Sequence, residues 1–316
     1  MNAANGPVVL GVASEDLDSN VAGMEFALHE ARQRGVPINV VHGCAPRHKL
    51  MPSDSWVESE DHEHGGRIVA RTAQQLRRMS HFEVHVDVTN ASTSGVDALL
   101  AASAEASVVV LQARPRAHDI QVAGPGSTVR AVAAQAACPV VVLHQKRREG
   151  QPQGIVVGVE EHGRAQGALH AAMELAARDN VPLTAVHAWD VPMGDPSMSG
   201  VMPPTPGELA AARSTASRLM SEAVAGLAED FPTVDLNTRV VRGSVVDVLR
   251  QTAQDAALLV VGRHANSRLE FHALGHAARA LLHDAPCPLM VIAPSEPFRK
   301  PTRSLLTADV PIGTGF

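Results

Sequence analysis

The chain is predicted to fold as two tandem α/β units, each a doubly wound parallel sheet. Three observations carry this expectation. First, the sequence repeats itself. Val108–Leu143 aligns without a gap on Ala257–Ile292, so that Cys138-Pro139 falls on Cys287-Pro288, Arg114 on Arg263, Gly126 on Gly275 and Arg130 on Arg279. Near the start of each half, Val8–Val12 matches Ile155–Val159, and Gly35-Val36-Pro37 resembles Asn180-Val181-Pro182. Second, apolar runs such as Val108-Val109-Val110-Leu111 do not alternate with polar residues, which marks strands covered on both faces. Third, these runs alternate with Ala-rich amphipathic stretches, the pattern of right-handed strand–helix–strand crossovers.

In order, the first half places strands near 7–13, 37–43, 82–88, 107–112 and 139–143, with helices near 19–34, 64–79, 95–105 and 127–137. The second half places strands near 154–160, 181–188, 234–241, 257–261 and 288–292, with helices near 164–178, 207–229, 244–255 and 275–284. Gln145–Gln153 is polar and charged and reads as a linker. Pro294–Phe316 is proline-containing and aperiodic and reads as a tail. The expected units are therefore 1–146 and 153–294, followed by a tail over 295–316. Two long connections, Cys44–Gly66 and Trp189–Gly207, follow the second strand of their halves, at the rim where such sheets bind ligands.

Composition narrows the function. The 316 residues are 45% hydrophobic and 19% charged, enough apolar material for packed cores. Only 3% are aromatic, with no Tyr, which speaks against stacked-base platforms. The formal charge is −6, and neither half is basic, so no nucleic-acid partner is expected. Lys49, Lys146 and Lys300 are the only lysines and none lies in a P-loop motif. Cys44, Cys138 and Cys287 have no zinc or redox spacing and read as reduced thiols of a cytoplasmic protein. No apolar run approaches a membrane span, so no membrane partner is expected.

The segments GVASEDLD, CPVVVL, IVVGVEEHGRAQGALHAAMELAARDNVPLTAVHAW and LLVVGRHANSRLEFHALGHAARALLHDAPCPLMVI resemble the universal stress protein family over about residues 7–294. The resemblance implies a strand order 3-2-1-4-5 in each half. It also implies a pseudo-twofold pairing of the fifth strands, Val140–Leu143 beside Leu289–Ile292, which would cap an exposed edge. Many members bind ATP with a G-x2-G-x9-G-[ST] loop and an acid at the end of the first strand. Glycines let the backbone approach phosphates, and free N–H groups of the next helix face the anion.

Each half keeps part of that pattern. The second has Gly262-Arg263-His264-Ala265, nine residues, then Gly275-His276, with Glu160 at the acid position. The first keeps Gly126, Ser127 and Thr128 but has Ala113, Arg116 and Ala13 at the other positions. The candidate cofactor-binding residues are thus Glu160, Gly262, Arg263, Gly275 and His276, with Gly126, Ser127 and Thr128 in the first half. ATP is the candidate ligand; no catalytic or metal residues are assigned.

Other residues carry two readings each. His62 and His64, beside Asp61 and Glu63, would offer a metal pair or simply a solvated loop. His264, His272 and His276 surround the phosphate loop as pH-sensing, metal-accepting or pocket-lining imidazoles. His42 and His187 are repeat-equivalent and read as satisfied, partly buried core histidines. Ser127 or Thr128 reads as a helix N-cap. Cys138 and Cys287 read as packing thiols, and Met193, Met198 and Met202 as a flap. Three functions stay open: a ligand-responsive sensor or scaffold, acting as a homodimer of tandem chains; a slow ATPase using Glu160, Gly262 and Gly275; and a structural module with closed pockets.

Overall fold

A computed structural model of the chain describes residues 5–44, 55–113, 127–144, 154–160, 166–190, 203–263 and 274–293. The first half runs β1 (Val8–Gly11), α1 (Val21–Arg34), β2 (Ile38–Gly43), α2 (Ser55–Met79), β3 (Val86–Ala91), α3 (Gly95–Ser103), β4 (Val108–Gln112), α4 (Ser127–Gln135) and β5 (Val140–Leu143). The second runs β6 (Ile155–Gly158), α5 (Gln166–Asp179), β7 (Leu183–Trp189), α6 (Pro206–Val224), a short α7 (Leu227–Asp230), β8 (Leu236–Arg242), α8 (Val245–Thr252), β9 (Leu258–Gly262), α9 (His276–Asp284) and β10 (Leu289–Ile292).

Local chemistry explains the boundaries. α1 ends on Gly35, whose φ of +65° lets its N–H reach back to Ala31 and Arg32. Asn180, the repeat-equivalent residue after α5, also has positive φ (51°). Asn is among the few non-glycine residues that tolerate this conformation. Val36 then donates to Ala31 and Val181 to Ala176, so both turns share this closing bond. α6 opens with a capping box between Thr205 and Glu208 and with Pro206 in its first turn.

The ten strands form one sheet in the order β3-β2-β1-β4-β5-β10-β9-β6-β7-β8. Within each half the order is 3-2-1-4-5 and every pairing is parallel. The halves meet where β5 pairs antiparallel with β10, with Val141 opposite Met290. The palindromic order places an approximate twofold axis at that pair. β1, β4, β5, β9 and β10 are almost wholly buried, as expected of strands covered on both faces. Two apolar clusters, one per face of the sheet, each contain residues of both halves.

Three expectations need correction. β3 begins at Val86, not near 82, because His81 and Phe82 form a positive-φ turn after α2. α2 begins at Ser55, so Ser55–Gly66 is helical, not loop. Few apolar residues in this stretch signal the extension. Its reason is tertiary: Gly65 seats the helix against β2 and β3. The single helix expected over 207–229 is divided at Gly226 into α6 and α7.

Candidate functional site

In each half the chain turns outward from the first strand toward the second and third, then returns to lay the fourth on the other side. The crevice between strands one and four is therefore the switch point of the sheet. In the second half it lies between β6 and β9, which pair with Val157 opposite Val260. Glu160 lies just past the end of β6, and Gly262 ends β9, so the two reach the same rim. Glu160 is part-buried there. α9 starts at His276 with Gly275 as its N-cap (φ −59°, ψ 160°), a residue with no side chain to cap the first turn. The first N–H groups of a helix have no partner within the helix itself, and those of α9 follow directly on Gly275. His276 is exposed in the same turn. His264, Ala265 and His272 lie outside the described residues.

Arg263 is engaged elsewhere. Its Nη1 donates to the Ala136 carbonyl of the first half, at 2.8 Å, just past α4. Burial pulls this guanidinium below its usual pKa. On the opposite side of the dyad, His144 Nε2 meets the Leu282 carbonyl in the last turn of α9, at 3.0 Å. Both contacts satisfy carbonyls that helix C-termini leave open, across the junction of the halves.

In the first half Ser127 and Thr128 occupy the first turn of α4. The helix already includes Ser127, so the capping position falls on Gly126, which lies outside the described residues with Arg116. The acid position holds Ala13, and nothing anionic replaces it on β1. The following turn is locally satisfied: Ser14 Oγ accepts from Asp16 N–H and Asp16 Oδ1 from Asp18 N–H.

The paired histidines at the end of β2 and β7 do one job in both halves. His42 Nδ1 lies 2.8 Å from the Val12 carbonyl, and His187 Nδ1 lies 2.9 Å from the Val159 carbonyl. A carbonyl only accepts, so Nδ1 carries the proton in each. Each imidazole thus fixes the backbone just before the acid position. The expectation of satisfied, partly buried core histidines holds at Nδ1 in both; His187 is 3% exposed, and among the described residues its Nε2 has no partner.

His62 and His64 do not form a pair. His62 sits against Asn90 and Ser92, whereas His64 faces Glu15 at 3.2 Å, beside Arg67. Cys138 and Cys287 are both 4% exposed, and burial pushes the Cys138 thiol up to about 11, consistent with packing. Met193, Met198 and Met202 lie outside the described residues.

Sequence reasoning missed one cluster. Glu30, on the buried face of α1, accepts from Arg34 Nε at 2.8 Å and from both terminal nitrogens of Arg178 on α5, at 3.0 and 2.8 Å. Arg178 also donates to Asp179. Burial alone would push the Glu30 carboxyl up; Arg178, then Arg34, outweigh it, and the net shift is downward. His29 and Asp179 bring ligand atoms within 4.8 Å of Glu30, but the arginines already hold its oxygens. An acid between Ala27 and Ala31, both buried, was the available signal: a charge on an apolar helix face requires a partner.

Two doubly wound units of strand order 3-2-1-4-5, joined across a dyad by their fifth strands, define a tandem α/β protein. The model of the Universal stress protein family matches residues 7–144 and again 153–293. The chain belongs to the universal stress protein family. A universal stress protein of Mycolicibacterium smegmatis is 27% identical over 294 residues, spanning 91% of this chain and 97% of that relative. Among solved structures, a universal stress protein from Archaeoglobus fulgidus superposes with a TM-score of 0.65 at 14% identity, covering 93% of this chain and 99% of its own. Another, solved in complex with cAMP, covers 46% of this chain at a TM-score of 0.35 and 22% identity.

Proposed function

We propose that this chain is a non-catalytic, ligand-responsive protein of the cytoplasm that binds an adenine nucleotide, ATP, in its second half. The units are 1–146 and 153–294, with 295–316 as a tail, and two tandem chains associate as a homodimer. The observation that carries the reading is the N-terminus of α9, whose first N–H groups follow Gly275 at the switch-point rim beside Glu160 and Gly262. The phosphates face these N–H groups and the glycine-bearing end of β9. The Glu160 carboxylate accepts from the ribose hydroxyls. His187 supports the site indirectly by holding the Val159 carbonyl. The first half, with Ala13 at the acid position, does not take part.

Nucleotide acts as a population shift: it stabilises the conformation with an ordered rim and so changes the surface offered to a partner. Native-state binding raises stability by about 2.7 kcal/mol at a hundredfold excess over Kd. The test is mass spectrometry of small molecules released from freshly purified protein, followed by thermal unfolding with millimolar ATP and magnesium. The expected result is a rise in Tm that Gly262→Val and Glu160→Ala remove, with phosphate release no faster than in Gly262→Val. An unchanged Tm, or a rise that survives both substitutions, would overturn the reading.

A further inference from the structure

The two halves finish the outer edge of the sheet differently. Strand register sets His42 opposite Asn90 and His187 opposite Val240, so Trp189 stands where the first half has Cys44, and Arg242 where it has Ser92. In the first half α2 lies directly on this edge. A Cβ at Gly65 would stand 2.5 Å from both Asn90 Oδ1 and Cys44 Sγ, and 2.8 Å from His42 Cδ2. α6 has no glycine from Glu208 to Val224, and an indole replaces the thiol. The backbone cannot come as close. Among the described residues, a groove of about 610 Å³ remains between α6 and the ends of β7 and β8, lined by Trp189, Leu209, Ala210, Arg213, Ser217 and Arg242. That volume suits a small molecule.

Among the described residues, polar groups in and next to the groove are left without partners. Strand alternation puts His187 and Trp189 on the same face of β7. Among the described residues each ring carries a buried nitrogen without a partner: Nε1 of Trp189, a donor, in the groove lining, and Nε2 of His187, an acceptor, one step further along β7. Arg242 pairs with Asp190 at 3.2 Å. Arg213 is exposed on α6 and, among the described residues, has no ion-pair partner.

We propose that this groove binds a small organic anion with a flat apolar body, an aromatic carboxylate by class. The carboxylate faces Arg213, with Arg242 adding positive potential, and the ring lies against Trp189 and Leu209. The site is separate from the nucleotide rim. Ala278, Leu281 and Leu282 of α9 pack into the apolar cluster on one face of the sheet. Met220 of α6 and Leu183 and Ala185 of β7 belong to the cluster on the other. The proposal therefore does not rest on nucleotide binding.

The test is isothermal titration calorimetry of the full chain with 2-naphthoate, and with 2-naphthamide as its uncharged counterpart. Arg213 and Ala210 are both exposed, so Arg213→Ala and Ala210→Trp should fold, which circular dichroism verifies. The expected result is saturable binding of 2-naphthoate that weakens about tenfold or more in Arg213→Ala and is lost in Ala210→Trp. 2-Naphthamide should bind at least tenfold more weakly, and Gly262→Val should bind 2-naphthoate like the parent. Absence of heat at millimolar 2-naphthoate, equal affinity for the amide, or unchanged affinity in Arg213→Ala or Ala210→Trp would overturn the assignment.

Discussion

Glu30 is the residue on which most charge converges. Its side chain is 3% exposed and shared by Arg34 and Arg178, so the two halves are tied by one carboxylate. Glu30→Ala leaves two guanidinium groups facing an apolar helix face. Breaking a buried pair in this way costs about 3–5 kcal/mol, and the lower end applies because Arg178 keeps Asp179. Urea unfolding at neutral pH should read that loss. The sign of the pH dependence follows from the lowered pKa. The folded value lies below the usual 4.5, so the ionised carboxylate contributes fully above that value. Its contribution falls away as pH drops from there through the folded pKa. The stability gap between the parent and Glu30→Gln should therefore narrow on acidification in that window and stay constant above it. His42 and His187 offer a second prediction at this scale. Long-range ¹⁵N NMR at a pH where they are neutral should show both as Nδ1–H tautomers, because Val12 and Val159 carbonyls can only accept.

Among the elements, α2 shows most directly how packing overrides local preference. Gly65 and Gly66 are adjacent in one helix, yet their surroundings differ. A Cβ at 65 would meet two polar atoms at 2.5 Å, whereas at 66 the nearest neighbour is Asn90 Nδ2 at 3.7 Å. Gly65→Ala should destabilise by about 1–3 kcal/mol through overpacking. Gly66→Ala should stabilise by up to about 1 kcal/mol through helix propensity. Thermal unfolding of the two variants should shift Tm in opposite directions. α9 illustrates the opposite balance. Its start at Gly275-His276 was legible in the sequence because the repeat aligned Gly275 with Gly126. The direction of Arg263 was not, since its partner, the Ala136 carbonyl, belongs to the other half.

For the whole molecule, β5 and β10 decide the cooperativity. Either half alone would expose a four-residue, fully apolar edge; together they bury both. Both apolar clusters cross this junction, so the halves should unfold as one unit. Hydrogen-exchange mass spectrometry should find the same global protection in peptides from β1 and β4 as in peptides from β6 and β9. Met290→Ala, at the dyad and 1% exposed, should lower it in both halves, by about 2–5 kcal/mol.

The amino-acid order alone determined most strands and helices and the duplication, because periodicity and turn chemistry are local properties; the rim residues Glu160, Gly262 and Gly275 followed from the family resemblance. Tertiary structure decided what depends on partners distant in sequence. It placed Glu30 with Arg178 and turned Arg263 away from the rim. It also closed the outer edge of the first half with Gly65 while, among the described residues, leaving a groove in the second beside Trp189. These outcomes are set by which side chains meet across the sheet and across the dyad, and neither distance is written in the order of residues along either strand.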